Sequence, residues 1–124
     1  MRLFSNDASR AMGHNKVWAD NTLLSGVTAT GAGAVTDLGA PVSQHACTVT
    51  IGGTAPTSVT VGLYGSQDGI NFQLLGTQQV ITTSGTIFQI LNSPGIRYIL
   101  GNYVSKVGGD GTTSVTLSVT SGGN

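Results

Sequence analysis

Residues 58–76, SVTVGLYGSQDGINFQLLG, decide the fold that we expect for this chain. Val59, Val61 and Leu63 alternate with small or polar neighbours, which is the two-residue period of a strand with one buried face. Residues 65–69 suit a turn, because Gly takes positive φ and Ser and Asp side chains bond the N–H groups that a turn leaves unpaired. After the turn, Ile70, Phe72 and Leu74 alternate with Asn71, Gln73 and Leu75, which predicts the second strand. The stretch therefore predicts a β-hairpin.

The turn of this hairpin contains the residues that most constrain its shape: Ser66, Asp68, Gly69, Asn71 and Phe72. Asp68-Gly69 predicts a tight turn with Gly69 at positive φ, where a Cβ atom would be strained. We interpret these five residues as a structural turn and not as an active site.

Composition extends the β prediction to the whole chain. The 124 residues suit a single domain. The sequence holds 19 Gly, 17 Thr and 12 Ser but no Glu, and this balance favours strands and turns over helices. The expected fold is an antiparallel β-sandwich of about eight strands, either jelly-roll or immunoglobulin-like.

The strand pattern is clearest in three further segments. Residues 44–51 alternate, with Cys47, Val49 and Ile51 predicted to point inward, and residues 114–120 alternate in the same way. The longest predicted strand, 96–107, places Ile96, Tyr98, Leu100 and Val104 on one face and Arg97, Ile99 and Tyr103 on the other. Shorter strands are predicted at 17–24, 26–31, 35–38, 78–82 and 86–91.

Residues 1–20 differ from the domain at 21–124, because they carry five of the ten formal charges without a clean strand or helix period. We interpret them as an N-terminal arm that docks on a partner, since exposed Phe and Trp are favoured interface anchors. The candidate contact residues are Arg2, Leu3, Phe4, Arg10, Met12, Lys16 and Trp18. The alternatives are a mobile terminus and a Trp18 that packs on its own sandwich.

Charge limits the classes of partner. The formal net charge is zero, which supports neither nucleic-acid binding nor attachment to an anionic membrane. The N-terminus lacks the apolar region of a signal peptide, and no run is long enough to span a membrane. Charged residues make up only 8% of the chain, against about 25% in ordinary domains. A surface with so few charges tolerates close neighbours, which predicts a homo-oligomer.

Catalytic and metal chemistry are not expected. Cys47, the single cysteine, lies in a strand and has no local base. His14 and His45 have no carboxylate at triad or metal-ligand spacing. A calcium ion at Asp68 or Asp110 would need backbone carbonyls to complete its ligands. We therefore predict no enzyme activity, no cofactor and no metal.

The residues from Gly52 to Leu75 contain G-S-x-D-G-x-x-F-x-x-L. This resembles the G-S-x-D-G-x-x-[WF]-x-x-L stretch of small virion proteins from tailed bacteriophages. Ile96-Arg97-Tyr98-Ile99 resembles their v-R-Y-v-R strand, although Leu100 replaces the second Arg. The resemblance covers roughly residues 44–120. The turn is also similar to the Asp-box hairpin S-x-D-x-G-x-T-W of sialidase-like proteins, with Asp68 and Gly69 one residue closer together.

The phage resemblance implies a β-sandwich that decorates or cements a capsid, or forms part of a tail or fibre. We expect a capsid decoration protein that stabilises the head at capsomer junctions, is assembled in the host cytoplasm and resides in the virion. Its partners would be the major capsid protein or other virion proteins, and the resemblance favours a trimer. The alternatives are a tail, fibre or head–tail connector component, and a carbohydrate-binding sandwich that stacks Tyr64, Tyr103 or Trp18 on sugars.

Overall fold

The computed structural model describes residues 19–91 and 93–122, and within these ranges every regular element is a β-strand. The described part of the chain contains no helix that could cross a membrane. The nine strands are β1 Ala19–Val27, β2 Gly31–Ala32, β3 Thr36–Val42, β4 Gln44–Gly52, β5 Pro56–Ser66, β6 Gln73–Ile81, β7 Thr86–Ile90, β8 Ile96–Gly108 and β9 Ser114–Gly122.

The strands form two antiparallel sheets, so the predicted β-sandwich is confirmed. The first sheet has the order β1-β9-β4-β7, and the second has the order β2-β8-β5-β6, with β3 also paired to β8. The turn between β5 and β6 marks one end of the sandwich, which we call the hairpin end. The loops after β4 and β8 lie at the opposite end.

The core lies between the sheets and is built from the alternation seen in the sequence. Val59, Val61 and Leu63 of the hairpin are buried, as predicted, and Cys47 and Val49 of β4 face them. Val115, Leu117 and Val119 of β9 complete the same cluster. Removing this apolar surface from water is the main stabilising contribution.

The predicted grouping of β8 side chains by face holds from Tyr98 to Val104 but fails at the start of the strand, at Ile96 and Arg97. Ile99 and Tyr103 are fully buried, whereas Tyr98 and Leu100 lie on the outer face of the second sheet. Ile96 is also buried, because at the start of the strand it packs against Gly65, where a Cβ atom would come within 2.7 Å of it. The inward positions therefore change parity between Ile96 and Ile99, which a strict two-residue period cannot represent.

The second strand of the hairpin begins later than the sequence pattern indicates. β6 starts at Gln73, and Ile70 lies in the turn with 79% of its surface exposed. Within β6, Leu75 is the buried residue and Leu74 points outward. Residues 70–72, which the alternation assigned to the second strand, therefore belong to the turn or precede β6.

Candidate interaction surface

The Asp68 carboxylate organises the hairpin turn. Its Oδ1 accepts hydrogen bonds from the backbone N–H groups of Ile70 (2.8 Å) and Asn71 (2.9 Å) and from Ser66 Oγ (2.8 Å). Its Oδ2 accepts a bond from Asn71 Nδ2 at 2.9 Å. In turn, Ser66 Oγ accepts from the N–H of Gly69 at 3.0 Å. Both carboxylate oxygens are thus occupied within the turn.

These bonds favour the charged form of Asp68 and hold the pKa of its carboxyl far below the usual range, with the Asn71 N–H contributing most. Gly69 has a φ of 79°, and a Cβ atom added to it would lie 3.6 Å from the Tyr98 ring. Phe72 is half-buried at the end of the turn. The arrangement fits a structural turn, since both oxygens of Asp68 already accept hydrogen bonds from residues of the turn itself.

A groove of about 660 Å³ lies beside this turn. It runs between the hairpin and the connection from β7 to β8. Its apolar lining comes from Leu74, Leu75, Ile90, Leu91, Pro94 and Ile96, and its polar lining comes mainly from Ser66, Gln67, Asp68, Asn71, Gln73 and Ser93. Such a mixture of apolar surface and convergent polar groups suits binding by contact.

Large apolar side chains are exposed around this groove and along the two strands that lead from it. Ile70, Leu74 and Leu91 lie at the hairpin end, Val80 lies on β6, and Ile87 lies on β7. We did not select these residues from the sequence. A signal was present, because residues 69–96 contain no Asp, Glu, Lys or Arg. The strand order shows that β6 and β7 are edge strands, so this uncharged stretch lies on an exposed part of the surface.

The two outer faces of the sandwich differ in chemistry. On the second sheet, Leu74, Tyr64 and Leu100 form one row across β6, β5 and β8. On the first sheet, Thr22, Ser118 and Thr48 form the corresponding row across β1, β9 and β4. The row on the second sheet is therefore apolar and partly aromatic, whereas the row on β1, β9 and β4 consists of hydroxyl side chains.

Tyr103 cannot stack on a sugar, which corrects one of the candidate carbohydrate contacts. Its side chain is fully buried in the core, and its hydroxyl has no hydrogen-bond partner among the described residues. Burial also raises the pKa of this phenol. Tyr64 is half-buried on the outer face, and Trp18 lies outside the described residues.

The buried histidine and cysteine have environments that suppress reactivity. His45 Nδ1 shares a hydrogen bond of 2.8 Å with Ser121 Oγ, and burial lowers the pKa of the imidazole to about 4. Burial raises the pKa of the Cys47 thiol to about 12. A neutral thiol in the core is a poor nucleophile.

The other conspicuous aspartate is also satisfied by the chain. Asp110 accepts hydrogen bonds from the Thr112 N–H (2.8 Å), the Thr112 hydroxyl (2.6 Å) and the Thr54 hydroxyl (2.9 Å). Among residues 19–91 and 93–122, no three His, Cys, Asp or Glu side chains cluster as metal ligands. The carboxylates of Asp68 and Asp110 thus both serve turns.

The predicted arm contacts fall outside the described residues: Arg2, Leu3, Phe4, Arg10, Met12, Lys16 and Trp18. The first described residue, Ala19, already belongs to β1, so the expected boundary after residue 20 falls inside a strand. Ala19 pairs with Ser121, which pairs with His45, which pairs with Ile90. Ala19 therefore lies at the hairpin end.

Fold and surface together define a small antiparallel β-sandwich whose exposed features suit binding. Its architecture is similar to that of the SPBc2 prophage-derived protein YomS, with a TM-score of 0.64 and 12% sequence identity. That similarity covers 90% of this chain and 98% of YomS. The Yersinia pseudotuberculosis-derived mitogen shares 10% identity over 86% of this chain and 85% of its own, at a TM-score of 0.43. No protein-family model and no curated protein matches the sequence.

Proposed function

We propose that this chain is a structural virion protein of a tailed bacteriophage, acting by binding and not by catalysis. The observation that carries the proposal is the nearly full-length similarity in fold to a prophage-derived protein. The G-S-x-D-G-x-x-F-x-x-L turn and the low charge of the chain support the same class. The more specific role that we propose is capsid decoration.

The proposed mechanism is mechanical. A rigid sandwich that binds across a capsomer junction stabilises the assembled state, because it binds that state and not the separated subunits. The groove at the hairpin end and the exposed Leu74 and Leu91 beside it supply apolar area for such a contact. Leu3, Phe4 and Met12 of the arm would add to it, since Ala19, which follows the arm in the chain, lies at that end.

The test begins with location. Antibody labelling of purified virions should mark the head, whereas labelling of the tail or its fibres would replace the decoration role with that of a tail, fibre or connector component. Absence of the protein from purified virions would overturn the proposed class.

A matched pair of variants then tests the surface. Leu91→Asp places a charge beside the groove, and Val107→Asp places one at the opposite end, where the replaced side chain is equally exposed, at 58% in both cases. Both variants should fold, because neither side chain is in the core. Only Leu91→Asp should lose binding to particles that lack the protein. Equal binding by the two would exclude the groove as the docking surface.

A further inference from the structure

The edges of the two sheets are protected to different degrees. An exposed edge strand invites pairing with another chain, and proteins prevent it with bulges, charges, proline or very short strands. β1 has two register shifts and carries Asp20. β2 has two residues, and β3 contains Pro41 and the Asp37–Arg97 ion pair. β6 is interrupted by a register shift opposite β5.

β7 has none of these protective features. Its five residues, Thr86–Ile90, contain no charge and no proline, and they pair with β4 without a register shift. Ile87 on this strand is 64% exposed. Among the described residues, β7 has no strand on its other side. It is therefore a regular, uncharged and open edge of high β propensity.

Two hydrogen bonds show which peptide groups of β7 face outward. The N–H of Gly85 donates to the Val49 carbonyl at 2.7 Å, and the N–H of Ile51 donates to Ser84 Oγ at 2.9 Å. The backbone N–H and C=O groups of the odd-numbered residues of β4 thus point toward β7. Since bonded and unbonded pairs alternate along an antiparallel ladder, the peptide groups of Ile87 and Gln89 face the open edge.

We propose that β7 pairs antiparallel with β7 of a second copy of this chain, about a two-fold axis at Phe88. Ile87 and Gln89 of one copy then exchange N–H···O=C bonds with Gln89 and Ile87 of the other, four bonds in all. The two four-stranded first sheets become one sheet of eight strands. The Phe88 side chains meet as the close, unbonded pair at the axis.

A second copy fits this edge better than the arm does. Residues 1–18 lack a strand period and carry four formal charges, which would have to be desolvated at this edge. β7 meets itself with no charge to desolvate and with each outward donor opposite an acceptor.

The experiment measures the mass of the full chain in solution by sedimentation at micromolar concentrations, without virions. The wild type should be a dimer. Gln89→Pro removes an outward N–H without breaking the ladder to β4, and Ile87→Lys adds an edge charge. Each should weaken the dimer at least about tenfold. Val80→Lys is the control, since Val80 on β6 is 65% exposed and the substitution is of the same type.

Amide hydrogen exchange supplies a second readout. The Ile87 and Gln89 amides should become protected as the dimer forms, because they face water in the monomer. A wild-type monomer, a trimer or a dimer that survives Gln89→Pro would overturn the proposal. Because the proposal concerns the isolated protein, its failure leaves the virion role open, and the failure of that role leaves the dimer open.

Discussion

Two aspartate turns lie at opposite ends of this sandwich and differ in how far their hydrogen bonds reach. Asp68 bonds only to residues within three positions of itself. Asp110 bonds to Thr112 and also to Thr54, which is 56 residues away in the chain. The Asp68 bonds stay within the first turn, whose bond to a distant residue runs from Gln67 Nε2 to the Gly95 carbonyl at 3.2 Å. The Asp110 bonds tie together the loops that follow β4 and β8.

Further hydrogen bonds near Asp110 also join the loops that follow β4 and β8. Thr113, which is fully buried, donates from Oγ1 to the Thr54 carbonyl at 2.7 Å and accepts from the Asp110 N–H at 3.1 Å. The Thr54 N–H donates to Thr112 Oγ1 at 3.1 Å. A self-contained turn depends on its own sequence, whereas a tie between loops depends on the whole fold. The two ends should therefore respond differently to the same kind of substitution.

Glycine substitution should show the largest difference. Gly53 and Gly69 both have positive φ, but a Cβ atom on Gly53 would lie 1.9 Å from the Thr112 carbonyl oxygen, whereas one on Gly69 would meet only the Tyr98 ring at 3.6 Å. We expect Gly53→Ala to lower the free energy of unfolding by at least about 3 kcal/mol. Gly69→Ala should cost about 1–2 kcal/mol. Urea unfolding measures both, and equal losses would contradict the difference.

His45 should reduce the free energy of unfolding at a higher pH than the aspartates of the two turns do. The unfolded chain protonates His45 below pH 6.5, but burial lowers the folded pKa to about 4. The unfolded state therefore binds more protons in this window, and stability falls as the pH falls from 6.5 to 4, by up to about 3 kcal/mol. His45→Gln should remove this slope in denaturant unfolding at several pH values.

The carboxyl groups should act at lower pH. The pKa values of Asp68 and Asp110 are held down by their hydrogen bonds, so their stabilising contribution is complete above the ordinary carboxyl range and is lost as the pH falls below it.

If the His45→Gln variant keeps the same dependence of unfolding free energy on pH between 6.5 and 4, His45 is not the cause of the loss of stability in that range.

Double-mutant cycles should show a smaller effect, and they test directly which of the two aspartates is energetically coupled to Thr54. Thr54→Val and Asp110→Asn remove two ends of one hydrogen bond, so their effects on the melting temperature should not add. Thr54→Val and Asp68→Asn act at opposite ends of the molecule, so theirs should add. Coupling between Thr54 and Asp68 would show that the hairpin turn is not self-contained.

Deleting residues 1–16 should have the smallest effect on stability. The deletion spares Trp18 and every described strand, so the melting temperature should stay nearly unchanged. Binding to particles that lack the protein should fall sharply, because Leu3, Phe4 and Met12 no longer bury apolar area. The contribution of Arg2, Arg10 and Lys16 should weaken with salt. Undiminished binding would place the docking surface on the sandwich alone.

The contrast between the two turns also explains what the sequence could predict. The hairpin turn is local, so Asp68 and Gly69 could be recognised from five adjacent residues. The clean alternations in β4 and β9 were readable for the same reason. The bond between Thr54 and Asp110 has no local signature, because it depends on two loops that meet only after the sheets form.

The predictions of which side chains point inward failed where local geometry interrupts the two-residue period of a strand. The parity change between Ile96 and Ile99 follows from the packing of Ile96 on Gly65, a contact across 31 positions in the chain. The inward position of Leu75 in place of Leu74 follows from the length of the Asp68 turn. The open edge at β7 required the strand order, which alternation does not contain.

The position of β9 has a consequence for synthesis. β9 is the last described strand, yet it lies inside the first sheet, between β1 and β4. During translation, β1 and β4 emerge without the strand that joins them, and no part of this sheet except β4–β7 can pair until residues 114–122 leave the ribosome. A chain truncated before β9 should therefore expose the apolar inner faces of β1 and β4 and be a target for chaperones and proteases. The completed chain folds only once its non-local pairs can close, which is the slow regime for β topologies.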